Sequence, residues 1–221
     1  MLHIIMYAAV VAAGVLLGNG AVFVFNRLPA SWLCDYGEVP AEDKLMRQRI
    51  NSTPWKALFS VLLTVCGVWL AREDFLYALS VMIVLWILIL ISISDAKYMI
   101  IPDQCVIALA VCSFGFVNYH DKTLDMLYGA LLGAGAMLAI ALSGKLIAKG
   151  DALGFGDVKL MAALGFIAGF RGTALIIAGM SILSAMAFTV LLAMKKVKKN
   201  EGKPLAPYIS AAALIYFVLV S

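Results

Sequence analysis

The sequence predicts an all-α membrane protein, a polytopic helical bundle of about eight transmembrane helices. Of its 221 residues, 64% are hydrophobic and only 14% are charged, and the mean hydropathy is +1.00. Soluble domains contain roughly 45–50% apolar residues, so most of this chain must lie in lipid or inside the bundle. Unpaired backbone groups are too costly in lipid, and the strict alternation of a membrane β-strand is absent, which leaves helices.

Eight apolar segments approach the roughly 20 residues that a helix needs to cross a bilayer core of about 30 Å. They are residues 2–25, 55–71, 75–94, 103–118, 126–148, 154–170, 173–193 and 204–220. The first segment lacks the basic region of a cleavable signal, so we expect it to be retained. We expect a single membrane domain over residues 1–221. Its glycines at Gly133, Gly135, Gly165 and Gly169 are expected to allow close helix packing.

The basic residues predict the orientation of these spans. With eight spans and an outer N-terminus, all Lys and Arg residues except Arg72, Lys122 and Arg171 fall on one face. Lys and Arg are enriched in cytoplasmic loops, so we expect this face to be cytoplasmic and both termini to lie outside. The net charge of +4 is then explained by topology, and no nucleic-acid partner is predicted.

A first group of polar residues stands where the third predicted span gives way to the fourth. Asp95 ends the third span, and Pro102 and Asp103 open the fourth. Proline suits the first turn of a helix because its missing N–H would have no partner there. An aspartate is favoured at the positive N-terminus of a helix. We therefore expect Asp95 and Asp103 to lie at the cytoplasmic membrane face.

A second group opens the sixth predicted span on the same face. Asp157 follows Gly154 and Gly156, and Lys159 comes two residues later. The helix must include Asp157 if it is to span the membrane at all. Glycine lets backbone pass close to another segment or adopt a positive φ. We predict that Gly154, Gly156, Lys159, Pro102 and Asp103 shape one site around the two aspartates.

Asp95 and Asp157 are predicted to be a catalytic pair. Two carboxyl groups a few ångströms apart cannot both ionise and can share one proton. The ionised member then takes a proton from water while the protonated member polarises a scissile carbonyl. No serine or cysteine nucleophile is credibly placed, and His3 and His120 fall at the outer face. The pattern indicates aspartyl peptidase chemistry.

Other interpretations of these carboxylates remain open at this stage. Asp95 and Asp103 could be helix-end residues, and Asp157 could pair with Lys159 or Lys149 to hold helices together. A small proton-coupled transporter also carries carboxylates in its spans, although transporters usually show inverted repeats or place these groups near mid-membrane. A non-enzymatic assembly protein of a secretion system is a third possibility.

The sequence resembles the type IV prepilin peptidases, a family of GxGD-type intramembrane aspartyl proteases. The matching segments are Gly18-Asn19 through Asn26-Arg27-Leu28-Pro29, Asp95 with Pro102-Asp103, and Gly154-Phe155-Gly156-Asp157-Val158-Lys159-Leu160. Weaker likenesses occur at Arg49-Ile50 and from Pro204 to Pro207. The resemblance implies that Asp95 and Asp157 are catalytic in a bacterial inner membrane. The implied substrate is the short basic leader of a prepilin or pseudopilin, cut just before its hydrophobic helix, with no cofactor for proteolysis.

The chain departs from this family in its first cytoplasmic loop, residues 26–54. Many members also N-methylate the new N-terminus with S-adenosylmethionine, and their loop usually carries two C-x-x-C pairs that bind zinc. Here the loop holds only Cys34, and Cys66, Cys105 and Cys112 lie in apolar segments. We therefore predict no metal and no disulfide, and S-adenosylmethionine is implied only if methylation is retained.

Overall fold

The computed structural model describes residues 2–35, 37–148, 154–194 and 203–220, and it is helical as predicted. Its helices are α1 (Leu2–Arg27), α2 (Glu42–Leu45), α3 (Trp55–Leu70), α4 (Phe75–Tyr98), α5 (Asp103–Cys112), α6 (Thr123–Ala148), α7 (Phe155–Ala193) and α8 (Ala206–Leu219), with short 3₁₀ helices at Ala30–Leu33 and Ser113–Tyr119. Contacts divide the chain into two compact units, residues 1–91 and 92–221, and α4 contributes to both.

Four of these helices are long and apolar enough to cross a membrane, namely α1, α4, α6 and α7. Three shorter apolar helices occupy Trp55–Leu70, Asp103–Tyr119 and Ala206–Leu219. The middle one joins ten α-helical residues to seven in a 3₁₀ helix. Because a 3₁₀ helix rises about 2.0 Å per residue against about 1.5 Å in an α-helix, this segment is roughly 29 Å long. It therefore reaches the thickness of a bilayer core despite its length in residues.

In the first unit, glycines on α1 let α3 approach closely. A Cβ on Gly18 would collide with the backbone of Ser60, and one on Gly14 would lie 2.7 Å from Thr64 Cα. Ser60 Oγ donates a hydrogen bond to Val15 O at 3.3 Å. Small residues on one helix face are the usual means by which membrane helices pack at short distance.

The loop that follows α2 is fastened to the end of α1. The Arg49 side chain is buried and donates to Phe25 O at 3.0 Å and twice to Lys44 O at 3.0 and 2.7 Å. Asn26 Oδ1 accepts from the N–H groups of Arg49 and Ile50 at 2.7 and 2.9 Å. The last carbonyls of a helix have no partner within the helix, so Arg49 caps α1 while it fixes the loop.

In the second unit, α7 reverses direction at Gly169. This residue has φ 67° and ψ −177°, a conformation essentially restricted to glycine. A Cβ on Gly133 of α6 would contact Met161 O and would lie 3.4 Å from Thr173 Cγ2. In a straight helix those two residues would be about 18 Å apart, so one glycine could not contact both. The 39 residues of α7 therefore form two helical runs, as the two spans predicted at this position require.

Side chains from other elements stabilise this reversal. A break in a helix removes N–H partners from the carbonyls that precede it. His120 Nε2 contacts Ile167 O at 2.9 Å, and Tyr216 Oη of α8 donates to Ala168 O at 3.3 Å. The loop before α6 and the end of α8 thus hold the turn at Gly169.

The four glycines expected to pack helices serve different purposes. A Cβ on Gly165 would collide with Gly129 O, and Gly133 is equally close to the α7 backbone, which confirms the expectation for both. Gly129 belongs to the same contact and was not predicted. Gly135 has nothing within 4 Å of its Cβ position, so the packing prediction is wrong for this residue. It lies on a different face of α6 from Gly129 and Gly133, which are four residues apart.

Replacing Gly165 with alanine should destabilise the second unit, whereas the same change at Gly135 should not. The added methyl group at Gly165 meets backbone that cannot move aside, so we expect a loss of about 1–3 kcal/mol in the free energy of unfolding. Gly135→Ala should raise it by up to about 1 kcal/mol, because alanine is the better helix former. Unfolding in detergent followed by circular dichroism measures both. Equal stability of the two variants would contradict the packing described for α6 and α7.

Candidate active site

Asp95 lies in the last turn of α4, and the chain turns sharply just after it. Its side chain is only 6% exposed. Met99 adopts φ 55° and its N–H donates to Asp95 O at 2.8 Å, an arrangement typical of helix C-termini. Ser94 Oγ donates to Ile100 O at 2.7 Å and holds the turn from inside. The helix end is thereby fixed at the residue that carries the carboxylate.

The N-terminus of α8 meets the Asp95 side chain. Asp95 Oδ2 accepts a hydrogen bond from the N–H of Ala206, the first residue of α8, at 2.8 Å. The first N–H groups of a helix have no partner within the helix and carry a partial positive charge. This donor was not predicted from the sequence, because every residue except proline has a backbone N–H. The only signal was the segment from Pro204 to Pro207, where proline favours a helix start.

Asp157 lies in the first turn of α7. Gly154 is the N-cap of this helix, and its carbonyl accepts from the Asp157 N–H at 3.1 Å. The Asp157 side chain is 8% exposed, and its Oδ1 atom is buried without a hydrogen-bond partner among the described residues. The charge of Asp95 acts on Asp157, so the two carboxyl groups lie within electrostatic range. The end of α4 and the start of α7 thus carry the two predicted residues.

The two glycines before Asp157 have different environments. A Cβ on Gly156 would lie 3.0 Å from Ile101 Cβ, so this glycine is needed where α7 passes the chain that leads into α5. A Cβ on Gly154 would come no closer than an ordinary 3.5 Å to its neighbours among the described residues, the nearest atom being Asp157 Oδ2. Neither glycine has a positive φ. The expected close approach of another segment is thus confirmed for Gly156. The expected positive φ is wrong for both glycines.

Lys159 pairs with Asp103 and not with Asp157. Its Nζ atom donates to both carboxylate oxygens of Asp103, at 2.8 and 2.9 Å, and both side chains are partly exposed. Side chains two residues apart on a helix do not face each other, so Lys159 points away from Asp157. The alternative in which Asp157 pairs with Lys159 to hold helices together is therefore wrong. Lys149, the other suggested partner, lies outside the described residues.

Pro102 is the N-cap of α5, one position before the first turn in which it was expected. Its carbonyl accepts from the N–H groups of Cys105 and Val106 at 3.0 and 3.2 Å. The fixed φ of proline therefore sets the direction of the chain immediately before Asp103. The Asp103–Lys159 ion pair thus joins the first turn of α5 to the first turn of α7.

The chain belongs to the Type IV leader peptidase family, which matches residues 82–192. This range includes both aspartates of the pair and the Asp103–Lys159 ion pair. Half of the chain is covered by the match, and the family is the one indicated by the sequence motifs. No solved structure shows a significant match to this chain.

Several relatives have significant similarity to this chain. It is 29% identical over 141 residues to a prepilin leader peptidase/N-methyltransferase of Stutzerimonas stutzeri, covering 62% of this chain and 48% of that protein. A protein of the same name from Bacillus subtilis is 27% identical over 133 residues, 60% of this chain and 52% of the relative. The leader peptidase HopD of Escherichia coli is 31% identical over 145 residues, 63% of this chain and 88% of the relative. The chain spans about half the length of the first two relatives.

Proposed function

We propose that this protein is a membrane-embedded aspartyl endopeptidase that cleaves the leader peptides of type IV prepilins or pseudopilins. The observation that carries the proposal is the pair Asp95 and Asp157, two buried carboxyl groups within electrostatic range of each other. Each lies at the end of an apolar helix in a member of the Type IV leader peptidase family.

The hydrogen bonds of the pair suggest separate roles for the two carboxyl groups. Asp95 Oδ2 already accepts from Ala206, so we assign Asp95 to take a proton from the attacking water. Asp157 Oδ1 has no partner within the described ranges, so we assign it to hold the shared proton and donate it to the scissile carbonyl. Water oxygen adds to the carbonyl carbon, and a tetrahedral diol forms.

Collapse of that diol completes the reaction. The proton taken up by Asp95 passes to the leaving nitrogen as the C–N bond breaks. Asp157 regains its proton from the diol oxygen that becomes the new carbonyl. One water is consumed, a carboxylic acid and an amine are formed, and the pair returns to its starting state, as general acid–base catalysis requires.

We further propose that the pair faces the cytoplasm at the inner membrane. The support is the uneven distribution of Lys and Arg between the two faces of the predicted topology. A prepilin fits this arrangement, because its apolar helix can stay in lipid while its basic leader stays in the cytoplasm. The peptide bonds of a regular helix are engaged in backbone hydrogen bonds. A glycine just before the cut bond should lower the stability of the substrate helix there by about 1 kcal/mol relative to alanine.

N-methylation is proposed only as a possible second activity, since the names of the relatives include it. The loop at residues 26–54 has one cysteine, and within the described residues no group of His, Cys, Asp and Glu could hold a metal ion. These residues do not fit a four-cysteine zinc site, so we derive no step through zinc. S-adenosylmethionine would be a co-substrate of methylation and has no part in proteolysis.

A reconstituted cleavage assay tests the proposal. The purified chain in lipid vesicles is mixed with a prepilin and S-adenosylmethionine, and the products are analysed by mass spectrometry. We expect one cut at the leader end of the apolar helix, and no cut when the glycine before that bond is replaced by leucine. Added methyl mass on the new N-terminus would show the second activity. An uncleaved prepilin, or a cut at the far end of its helix, would refute the proposed function.

The Asp103–Lys159 ion pair should position Asp157 and contribute modestly to activity. An exposed pair contributes at most about 1 kcal/mol, so Lys159→Met should lower kcat roughly fivefold and leave KM nearly unchanged. The exchanged pair Asp103→Lys with Lys159→Asp should recover most of the loss, because the ion pair can form again. Turnover measured for the single and exchanged variants checks this. A fully inactive Lys159→Met protein with normal folding would mean that Lys159 acts on substrate directly.

A further inference from the structure

An open groove of about 550 Å³ lies at the reversal of α7 near Gly169, at the opposite end of the first helical run from Asp157. It is lined by Asp125, Tyr128, Leu131, Leu132, Phe170 and Arg171. Asp157 and the reversal at Gly169 are separated by about 18 Å of helix, so this groove is remote from the aspartate pair. Its volume falls within the range of small-ligand pockets.

The groove changes from charged to apolar along α6. Asp125 lies in the first turn of this helix, Tyr128 in the next, and Leu131 and Leu132 a further turn in, about 10 Å from Asp125. Because α6 is a candidate membrane span, its first turn lies near the headgroups and its later turns lie in the hydrocarbon region. The groove is thus charged at the membrane interface and apolar toward the hydrocarbon region. A phospholipid has its headgroup and acyl chains in the same order.

The charged end contains one cation and one anion. Arg171 is exposed, and within the described ranges its side chain makes no hydrogen bond or ion pair. Asp125 is 41% exposed, and its Oδ2 atom lies 3.4 Å from His120 Nδ1. Its other carboxylate oxygen can accept from a ligand. A ligand that carries both a phosphate and an ammonium group would satisfy both residues.

We propose that this groove binds a phospholipid whose zwitterionic headgroup ends in a primary ammonium, such as phosphatidylethanolamine. The phosphate would bind Arg171, since a guanidinium matches phosphate oxygens with two parallel N–H donors. The ammonium would donate to Asp125, and the start of an acyl chain would lie along Leu131 and Leu132. Phosphatidylglycerol ends in neutral hydroxyl groups, which would leave the negative charge of Asp125 uncompensated. Phosphatidylcholine has no N–H to donate.

Native mass spectrometry of the whole protein tests this proposal. The protein is purified in detergent, mixed with equal amounts of phosphatidylethanolamine, phosphatidylglycerol and phosphatidylcholine, and the retained lipids are counted. We expect phosphatidylethanolamine to be retained preferentially. Arg171→Gln should reduce its retention roughly tenfold, as the loss of a charge-assisted hydrogen bond would. Lys122→Gln is the matched control, since it removes a cation from the neighbouring loop outside the groove and should change nothing.

A further variant tests the ammonium contact. Asp125→Asn keeps a polar side chain of the same shape beside His120 but removes the negative charge, so it should abolish the preference for phosphatidylethanolamine over phosphatidylcholine. Equal retention of the three lipids by the unaltered protein would overturn the proposal. So would equal losses in Arg171→Gln and Lys122→Gln, or a preference for phosphatidylglycerol. None of these outcomes depends on peptidase activity, so the lipid site and the proposed function succeed or fail separately.

Discussion

Replacing either Asp95 or Asp157 with asparagine should abolish cleavage while the protein still inserts and folds. Asparagine has nearly the same shape, and at position 95 its carbonyl oxygen can still accept from the N–H of Ala206. It cannot take a proton from water or hold the shared proton. Because general acid–base groups contribute about 10²–10⁴-fold, we expect a loss of about a thousandfold, measured by prepilin turnover.

Two comparisons make this result specific to the pair. The double variant should be no worse than either single variant, since residues that act as a unit have strongly non-additive effects. Asp103→Asn is the control, because it removes a nearby carboxylate that pairs with Lys159 and is expected to cause only a modest loss. Normal turnover by Asp157→Asn would rule out the proposed mechanism.

Gly156→Val should cause the second largest loss of activity. A Cβ at this position would lie 3.0 Å from Ile101 Cβ, so the two further methyl groups of valine should collide with this side chain and displace the first turn of α7. Asp157 lies in that turn. A misplacement of about 1 Å can cost about a hundredfold in rate, so cleavage should fall by at least that factor in the same turnover assay.

A compensating change separates this steric account from a general loss of folding. Ile101→Gly removes the side chain that valine meets, and it should restore part of the activity of Gly156→Val. Gly154→Ala removes a glycine from the same motif where a Cβ has only an ordinary contact, and it should remain active. If Ile101→Gly restores nothing and Gly154→Ala is equally inactive, the contact between Gly156 and Ile101 does not control the site.

The helices could be predicted from the sequence more reliably than their ends. Hydropathy identifies the residues that lie in lipid, so the third predicted span stopped at residue 94. The helix itself continues through Asp95 to Tyr98, because backbone hydrogen bonding does not end where side chains become polar. A reversal near Gly169 was implied by the two spans predicted at residues 154–170 and 173–193, which together are too long for one span of about 20 residues and have Arg171 between them.

The site could be predicted only where side-chain type carries the information. Asp95 and Asp157 are recognisable because carboxylates are rare within apolar spans. The Ala206 N–H that binds Asp95 could not be found, since every residue but proline has this donor. The pairing of Lys159 with Asp103 required the helix direction at Asp157 and the position of α5. Gly129 and Gly135 lie on different faces of α6, and the sequence does not specify which of these faces meets α7.

The reversal at Gly169 also makes the first run of α7 behave as a spacer of fixed length. One end is held by the Asp103–Lys159 ion pair, and the other is held by His120 and Tyr216. One residue added to or removed from this run would rotate Asp157 by about 100° and shift it by about 1.5 Å relative to the turn. Insertions and deletions between Asp157 and Gly169 should therefore not be tolerated.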